Sequence, residues 1–249
     1  MKYSQICGAD ATSVTVRGRS LMDLIGTLSF TEYFMLLLIG RLPTENERYF
    51  LDATLIAIAE HGFTPSVQAA RMTIAAGPDN LQGAVAAGIL GCGSVILGAA
   101  EDAGKLLHEA ISRGGDGVTV AREMAQELRA RRAPLPGFGH PFHRPEDPRA
   151  QKLLALSDAR GTSGAHVEMI RAFATVADEV WSRHLVLNVS GAIAAVMLDV
   201  GFPLDSLKGI PILARTAGLL AHLHEDAHDR LGFILADQAA TAVEYAEAR

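Results

Sequence analysis

Apolar positions recur along most of the chain at intervals of three and four residues, the repeat that lines one face of an α-helix, and alanine is abundant among them. The first clear case is LMDLIGTLSFTEYFMLLLIG, which Pro43 separates from a second apolar run, YFLDATLIAIAEH. Ser29, Thr31 and Thr44 are placed to cap helices here, and Thr44 with Glu47 forms a capping-box pattern. An amphipathic helical hairpin follows from that arrangement. The same periodicity predicts helices near 66–76, 81–99, 102–113, 117–131, 147–158, 165–182, 188–199 and 206–229. Only SVTVRG, at 13–18, alternates like a strand. The pattern predicts an all-α fold.

Residues 83–100, GAVAAGILGCGSVILGAA, are uncharged over ~18 residues, the length at which a membrane span becomes a candidate. Glycines interrupt the run, Leu, Ile and Val are sparse, and no basic or aromatic anchors flank it. A helix buried on all sides within a bundle is the expectation instead. The least helical segment is RRAPLPGFGHPFHRPEDPRA at 131–150, where five prolines and two glycines punctuate the pattern. This stiff loop presents His140, His143, Arg144 and Arg149. Neither an internal repeat nor a Ser/Gly linker divides the chain.

With 249 residues, 49% apolar and 20% charged, the chain has enough apolar material for an ample core, which excludes disorder as its main state. Lys+Arg 22 against Asp+Glu 28 gives a net charge of −6, and without a basic stripe nucleic acid is not expected as a partner. Cys7 and Cys92 make no CxxC pattern, so a reducing, cytoplasmic setting is the expectation. The opening MKYSQICGAD has no apolar run after Lys2 and does not read as a secretory signal.

Two histidine settings carry chemical promise. His61 ends an apolar helix in AEHGFTPS, with Gly62 as its C-cap; a favourable interaction with the helix dipole would alone account for it. His140 stands between Gly139 and Pro141, a backbone that can aim a ring nitrogen at a ligand. Asp147 is placed to cap the helix that follows, and Arg149 in its first turn could clamp a carboxylate with both guanidinium nitrogens.

The loop GFGHPFHRPEDPRA resembles the G-x-G-H-x8-R loop of citrate synthases, which usually ends in D-P-R-A. EHGFTPS is similar to that family's DHG-x-N-x-S segment, and GILGCGSVILGAAEDA to the glycine-rich run before its small domain. LNVSGAIAAVMLDVGFP and LARTAGLLAHLHED extend the resemblance, the latter to the R-x-x-G-x-x-A-H helix, so that it spans about 20 to 228. Length and segment spacing look closest to citryl-CoA lyases and the lyase module of ATP-citrate lyase.

The resemblance implies an all-α citrate-synthase-like fold, with a large helical subdomain (1–97 and 191–249), a smaller one (98–190) and the active-site cleft between them. It implies an acyl-CoA and a 2-oxo acid as small-molecule partners, a homodimer or homotetramer, and neither a metal nor a tightly bound cofactor, the coenzyme A thioester being a substrate. By the same resemblance His61 contacts a substrate carboxylate or carbonyl. His140 polarises the oxo-acid carbonyl, or takes the hydroxyl proton in the cleavage direction. Arg149 and Arg215 bind substrate carboxylates, while Gly137, Phe138, Gly139 and Arg144 meet coenzyme A. Arg230 stands in for an arginine that the family takes from the partner subunit.

Two departures set the direction of the reading. Ile96 occupies the place of the family histidine that stabilises the thioester enolate, as in citryl-CoA lyases. Ser190 occupies the place of the catalytic aspartate, and a hydroxyl cannot act as the carboxylate base that removes an α-proton. Asp199, Glu101 and Asp102 are replacements by proximity only, and read more simply as solvated or capping carboxylates. Cleavage of a 3-hydroxy-3-carboxyacyl-CoA such as citryl-CoA is therefore expected over condensation. Other CoA-thioester chemistry and a silent acyl-CoA binder are the alternatives that Ser190 raises. A rival of another class is a zinc hydrolase, since His224-Glu225-Asp226-Ala227-His228 satisfies H-E-x-x-H.

Overall fold

A computed structural model describes residues 3–141 and 143–247, leaving aside the side chains of residues 94 and 95. Three short strands, β1 (Cys7–Ala9), β2 (Val14–Val16) and β3 (Arg19–Ser20), form an antiparallel meander. Twelve α-helices follow among the described residues. They begin with α1 (Leu21–Leu24), α2 (Phe30–Ile39), α3 (Glu45–Ala59), α4 (Pro65–Ala76), α5 (Leu81–Leu97) and α6 (Ala99–Arg113). They continue with α7 (Gly117–Ala130), α8 (Pro148–Ala159), α9 (Ala165–Trp181), α10 (Val189–Asp199), α11 (Gly209–Asp226) and α12 (Gly232–Ala242).

Local chemistry sets the helix starts. Ser29 and Glu32 form a complete capping box on α2, and Thr44 and Glu47 form another on α3, each pair satisfying two backbone donors. Thr31 is not a cap: it lies inside α2, one turn too late. Glu47 is buried, and Arg41 binds its carboxylate through both terminal guanidinium nitrogens, so this cap also anchors the preceding loop. Asp147 caps α8 as expected, accepting from the Arg149 backbone N–H at 3.1 Å.

Helix α10 is the axis of the main core. Every residue from Val189 to Met197 is buried, and the helix packs against α3, α6, α8 and α9. A second apolar cluster joins Val67 and Ala70 of α4, Ala84 of α5 and Leu219 and Leu223 of α11. A third seats Val16 of the meander on Leu24 and Leu36. The expectation of a helix buried all round at 83–100 is corrected here. Helix α5 leaves Leu81 and Leu90 exposed, the latter at 81%, and is interrupted at Gly93; the all-round buried helix is α10. No helix among the described residues is long and apolar enough to cross a membrane.

Four elements differ from the predicted string. β1 and β3 are two or three residues long, too short for alternation to register. The segment at 206–208 belongs to a 3₁₀ turn and its exit, so α11 starts at Gly209. Helix α12 buries little beyond Gly232, where a Cβ would lie 2.6 Å from the Arg71 carbonyl oxygen, so it has almost no apolar periodicity to read.

Replacing Thr44 by Ala removes the α3 cap and is expected to cost about 1 kcal/mol. Urea denaturation measures it; an unchanged midpoint would show that Arg41 and Glu47 hold the turn without the hydroxyl.

Candidate active site

The site is assembled around the loop at 137–149. Gly137 takes a left-handed φ of 82° and presses its backbone on α10: a Cβ on Gly191 would sit 2.8 Å from the Gly137 carbonyl oxygen. Only paired glycines permit this approach. Hydrogen bonds then stitch the loop to the strand-like entry of α10. Gly139 N–H donates to the Val186 carbonyl at 2.7 Å, Asn188 N–H to the Gly137 carbonyl at 2.9 Å, and the Asn188 side-chain amide to the Gly139 carbonyl at 3.0 Å.

The buried Asp147 carboxylate ties the far end of the loop. It accepts from Arg149 Nε at 3.0 Å and Nη2 at 2.9 Å and from the Val189 backbone N–H at 3.0 Å. Burial works to raise its pKa, but the bonds and charge of Arg149 outweigh that and hold it below the usual carboxylate range. Arg149 is thereby aimed at His140, its Nη2 standing 3.2 Å from Nε2. The His140 Nδ1 faces the His143 backbone N–H at 2.9 Å. A backbone amide and a guanidinium can only donate, so both ring nitrogens of His140 face donors. His140 Nε2 and Arg149 Nη2 stand side by side, an arrangement that, with Nε2 protonated, suits an acceptor oxygen of a carbonyl or carboxylate.

His61 closes the cluster from the end of α3. The helix cap is Glu60 and not Gly62, which lies beyond it with a φ of 71°. Glu60 Oε1 accepts from the His61 N–H at 2.8 Å and lies 2.9 Å from His222 Nε2 on α11. The His222 Nδ1 faces Arg71 Nη2 at 2.8 Å, and Arg71, fully buried, also binds Asp226 at 2.9 Å and Glu225. A polar chain from α4 through α11 therefore fixes the turn that presents His61. The rings of His61, His140 and His143 meet with centroids 5.6, 5.1 and 4.3 Å apart.

Arg215, from α11, is 5% exposed, and its Nε and one terminal nitrogen have no hydrogen-bond partner among the described residues. Burial pushes its pKa down, and Arg149 adds to that. A buried guanidinium whose nitrogens lack hydrogen-bond partners is costly, and an arriving anion offsets that cost. Burial, followed by the positive fields of Arg149 and Arg215, lowers the pKa of His61; burial likewise lowers that of His140. Both shifts favour the neutral ring, which acts as a hydrogen-bonding group.

The structure brings together His61, His140, Arg149 and Arg215 from four separate elements. Ser190 lies buried in the first turn of α10, its N–H held by the Asn188 side chain, beside the glycine that packs on Gly137. Phe138 is half-buried in a bridge to Leu187, and Arg144 is exposed on the outer loop. Asp199 is not available for catalysis: it caps α9, accepting from the Gly164, His166 and Val167 N–H groups and contacting the His166 ring. Glu101 pairs with Lys105 on the surface, Asp102 is exposed, and Arg230 is exposed past the end of α11. His143 and Arg71 are the residues that sequence reasoning did not rank. His143 was visible in the loop, whereas nothing in the local sequence marks Arg71.

The H-E-x-x-H residues do not assemble as a zinc site: the rings of His224 and His228 lie 5.1 Å apart, but Glu225 is bound to Arg71 and no third ligand groups with them among the described residues. The group that could hold a metal, among the described residues, is instead His61, His140 and His143, with ligand atoms within 4.8 Å of one another. Arg149 beside His140 Nε2 opposes a cation there, and with Arg215 it makes the electrostatics those of an anion site.

The citrate synthase C-terminal domain family matches residues 45–234. The chain is 30% identical over 211 residues to the citrate/2-methylcitrate synthase of Bacillus subtilis, covering 82% of this chain and 55% of that protein. It thus spans about half the length of the curated relatives it matches. Among solved structures, the citryl-CoA lyase from Hydrogenobacter thermophilus superposes with a TM-score of 0.86 at 32% identity, covering 100% of this chain and 96% of that one. ATP citrate lyase from Methanothrix soehngenii, whose structure holds citrate and coenzyme A, matches with a TM-score of 0.82 at 21% identity, over 42% of its length. At that identity it shows the shared fold alone.

Two measurements test the electrostatics. Arg215→Met is expected to raise the Tm of the ligand-free protein and to abolish the Tm increase that a small dicarboxylate produces in the wild type; a lowered Tm with the increase retained would contradict the anion role. In histidine NMR titrations His61 and His140 are expected to titrate below 6.5 and His184, raised by its Asp178 partner, above it. The two depressed histidines contribute no penalty above the unfolded value. Their contribution to stability is lost as pH falls from about 6.5 toward their folded values, because the unfolded chain then binds more protons.

Proposed function

The chain belongs to the citrate synthase family, and from that premise we propose that it is a carbon–carbon lyase that splits a 3-hydroxy-3-carboxyacyl-CoA, such as citryl-CoA, into an acyl-CoA and a 2-oxo acid. The observation that carries the reading is the contrast between a full set of oxo-acid groups and a missing base. His61, His140, Arg149 and Arg215 converge, while the first turn of α10 offers the Ser190 hydroxyl and no carboxylate. Condensation needs a base strong enough to take an α-proton from a thioester. Cleavage does not begin with that step.

In this mechanism Arg149 and Arg215 clamp the substrate carboxylates, which fixes the scissile bond and removes the entropic part of the barrier. As the bond breaks, the C3 oxygen becomes the oxo-acid carbonyl, held by His140 Nε2–H and Arg149 Nη2. His61 supports a neighbouring carboxylate or carbonyl oxygen. The thioester lies along Gly137, Phe138 and Gly139, with Arg144 toward the phosphates. A surface cavity of about 510 Å³ lined by Arg129, Arg132, Trp181 and Arg183 supports this placement of coenzyme A. Ala133 also lines it, four residues before Gly137, so at most about 14 Å of chain separates the two. No resident metal or cofactor enters the reaction.

The smaller lobe, 98–190, would close on the rest of the chain to exclude water during turnover. Leu90, 81% exposed on α5, suits the contact of a homodimer or homotetramer.

Incubation with citryl-CoA and related 3-hydroxy-3-carboxyacyl-CoA esters, with products read by mass spectrometry, is expected to yield an acyl-CoA and a 2-oxo acid over many turnovers. If no CoA ester is cleaved or formed above background, the reading fails; binding without turnover would identify a silent acyl-CoA binder. Ser190→Asp, which returns the family carboxylate, is expected to raise kcat/KM for citryl-CoA cleavage. An unchanged or inactive variant would point to a site built for another acyl group.

A further inference from the structure

Cleavage of a 3-hydroxyacyl-CoA moves one proton: it must leave the hydroxyl as the carbon–carbon bond breaks, and a proton must reach the α-carbon of the acyl-CoA. The groups assigned so far do not carry it. His140 faces the His143 backbone N–H at Nδ1 and the Arg149 guanidinium at Nε2, and the fixed positive charge of Arg149 opposes proton uptake there. Arg149 and Arg215 are permanently protonated. Asp147 is enclosed by Arg149 and the Val189 N–H, Glu60 has Oε1 engaged by the His61 and Gly62 N–H groups and His222, and Asp199 is held by the start of α9. His61 has its ring in the positive fields of Arg149 and Arg215, which oppose proton uptake.

His143 differs from all of these. Its ring lies against both other histidines, 4.3 Å from His140 and 5.1 Å from His61, so it faces the same space. Its Nε2 is shielded from solvent and has no hydrogen-bond partner among the described residues. A buried imidazole nitrogen left unpaired inside a polar cluster is costly unless a ligand completes it. Its own backbone N–H holds His140 Nδ1 at 2.9 Å, so one residue both orients that ring and sits beside it.

We propose that His143 is the proton-transfer residue of the lyase, a role that rests on the reading above and fills the place left by Ser190. Its Nε2 accepts the C3 hydroxyl proton while the C2–C3 bond breaks; the O–H electron pair forms the oxo-acid C=O, and the C2–C3 pair passes into the thioester enolate. The resulting imidazolium then gives its proton to C2, forming the C–H bond of the acyl-CoA and restoring neutral His143. One proton is taken and one returned, so the balance needs no oxidant, reductant or additional acid. The charged and titratable groups around it are His61, His140 and Arg149, with Arg144 next in the chain.

Steady-state cleavage of citryl-CoA by full-length His143→Gln and His143→Ala tests this, with thermal melts and calorimetric CoA-ester binding as checks on folding. Expected is a fall in kcat of about 10²–10⁴-fold with KM changed less than about threefold. Added imidazole is expected to restore part of the His143→Ala rate. A folded variant whose kcat stays within about tenfold of wild type, or whose loss lies in KM, overturns the assignment while the lyase reading stands. A wild type that cleaves no ester of the panel overturns both.

Discussion

The candidate site depends on one buried carboxylate. Asp147 is fully shielded from solvent, yet it stays ionised because Arg149 grips it through two nitrogens and the Val189 N–H supplies a third donor. An unpaired carboxylate at that depth would be strongly disfavoured, so the pair and the backbone bond must form together. Their formation brings three things into register: the start of α8, the loop that bears His140, and the first turn of α10. Arg149 reaches the site with its terminal nitrogen already pointed at His140 and with little rotamer freedom left to lose on binding.

From that constraint the chemistry of the loop follows. The glycine pair Gly137 and Gly191 lets two backbones touch, and the hydrogen bonds to Val186 and Asn188 make the loop a rigid extension of α10. Rigidity matters because an oxygen-binding site stabilises a developing charge only if its donors need not reorganise. On the opposite wall, Arg71, His222 and Glu60 fix the turn of His61 without entering the site. Arg215 remains with buried, unpartnered nitrogens, so the empty site is poised for an anion.

Much of this was legible in the sequence, and the reasons are specific. The main helices follow from three- and four-residue spacing, and the boxes at Ser29 and Thr44 from residues that satisfy backbone donors locally. His140 and Arg149 stand out because prolines and glycines isolate them from any helix. What depends on contacts between distant segments was not legible. Arg71 reads as one basic residue in an alanine-rich helix until Asp226, 155 positions away, lies against it. The contact at His140 Nδ1 comes from a backbone N–H three residues on, which no side-chain pattern encodes. The H-E-x-x-H match misled because its glutamate is taken by Arg71, a residue 154 positions away.

A crystal structure with a non-cleavable CoA thioester and oxaloacetate bound tests the central claim most directly. The account predicts the oxo oxygen between His140 Nε2 and Arg149 Nη2, a carboxylate on Arg215, and His143 Nε2 facing the gap between the oxo carbon and the thioester α-carbon. An oxo acid bound away from these two arginines, or a thioester α-carbon facing Ser190 with His143 turned out of the site, would contradict it.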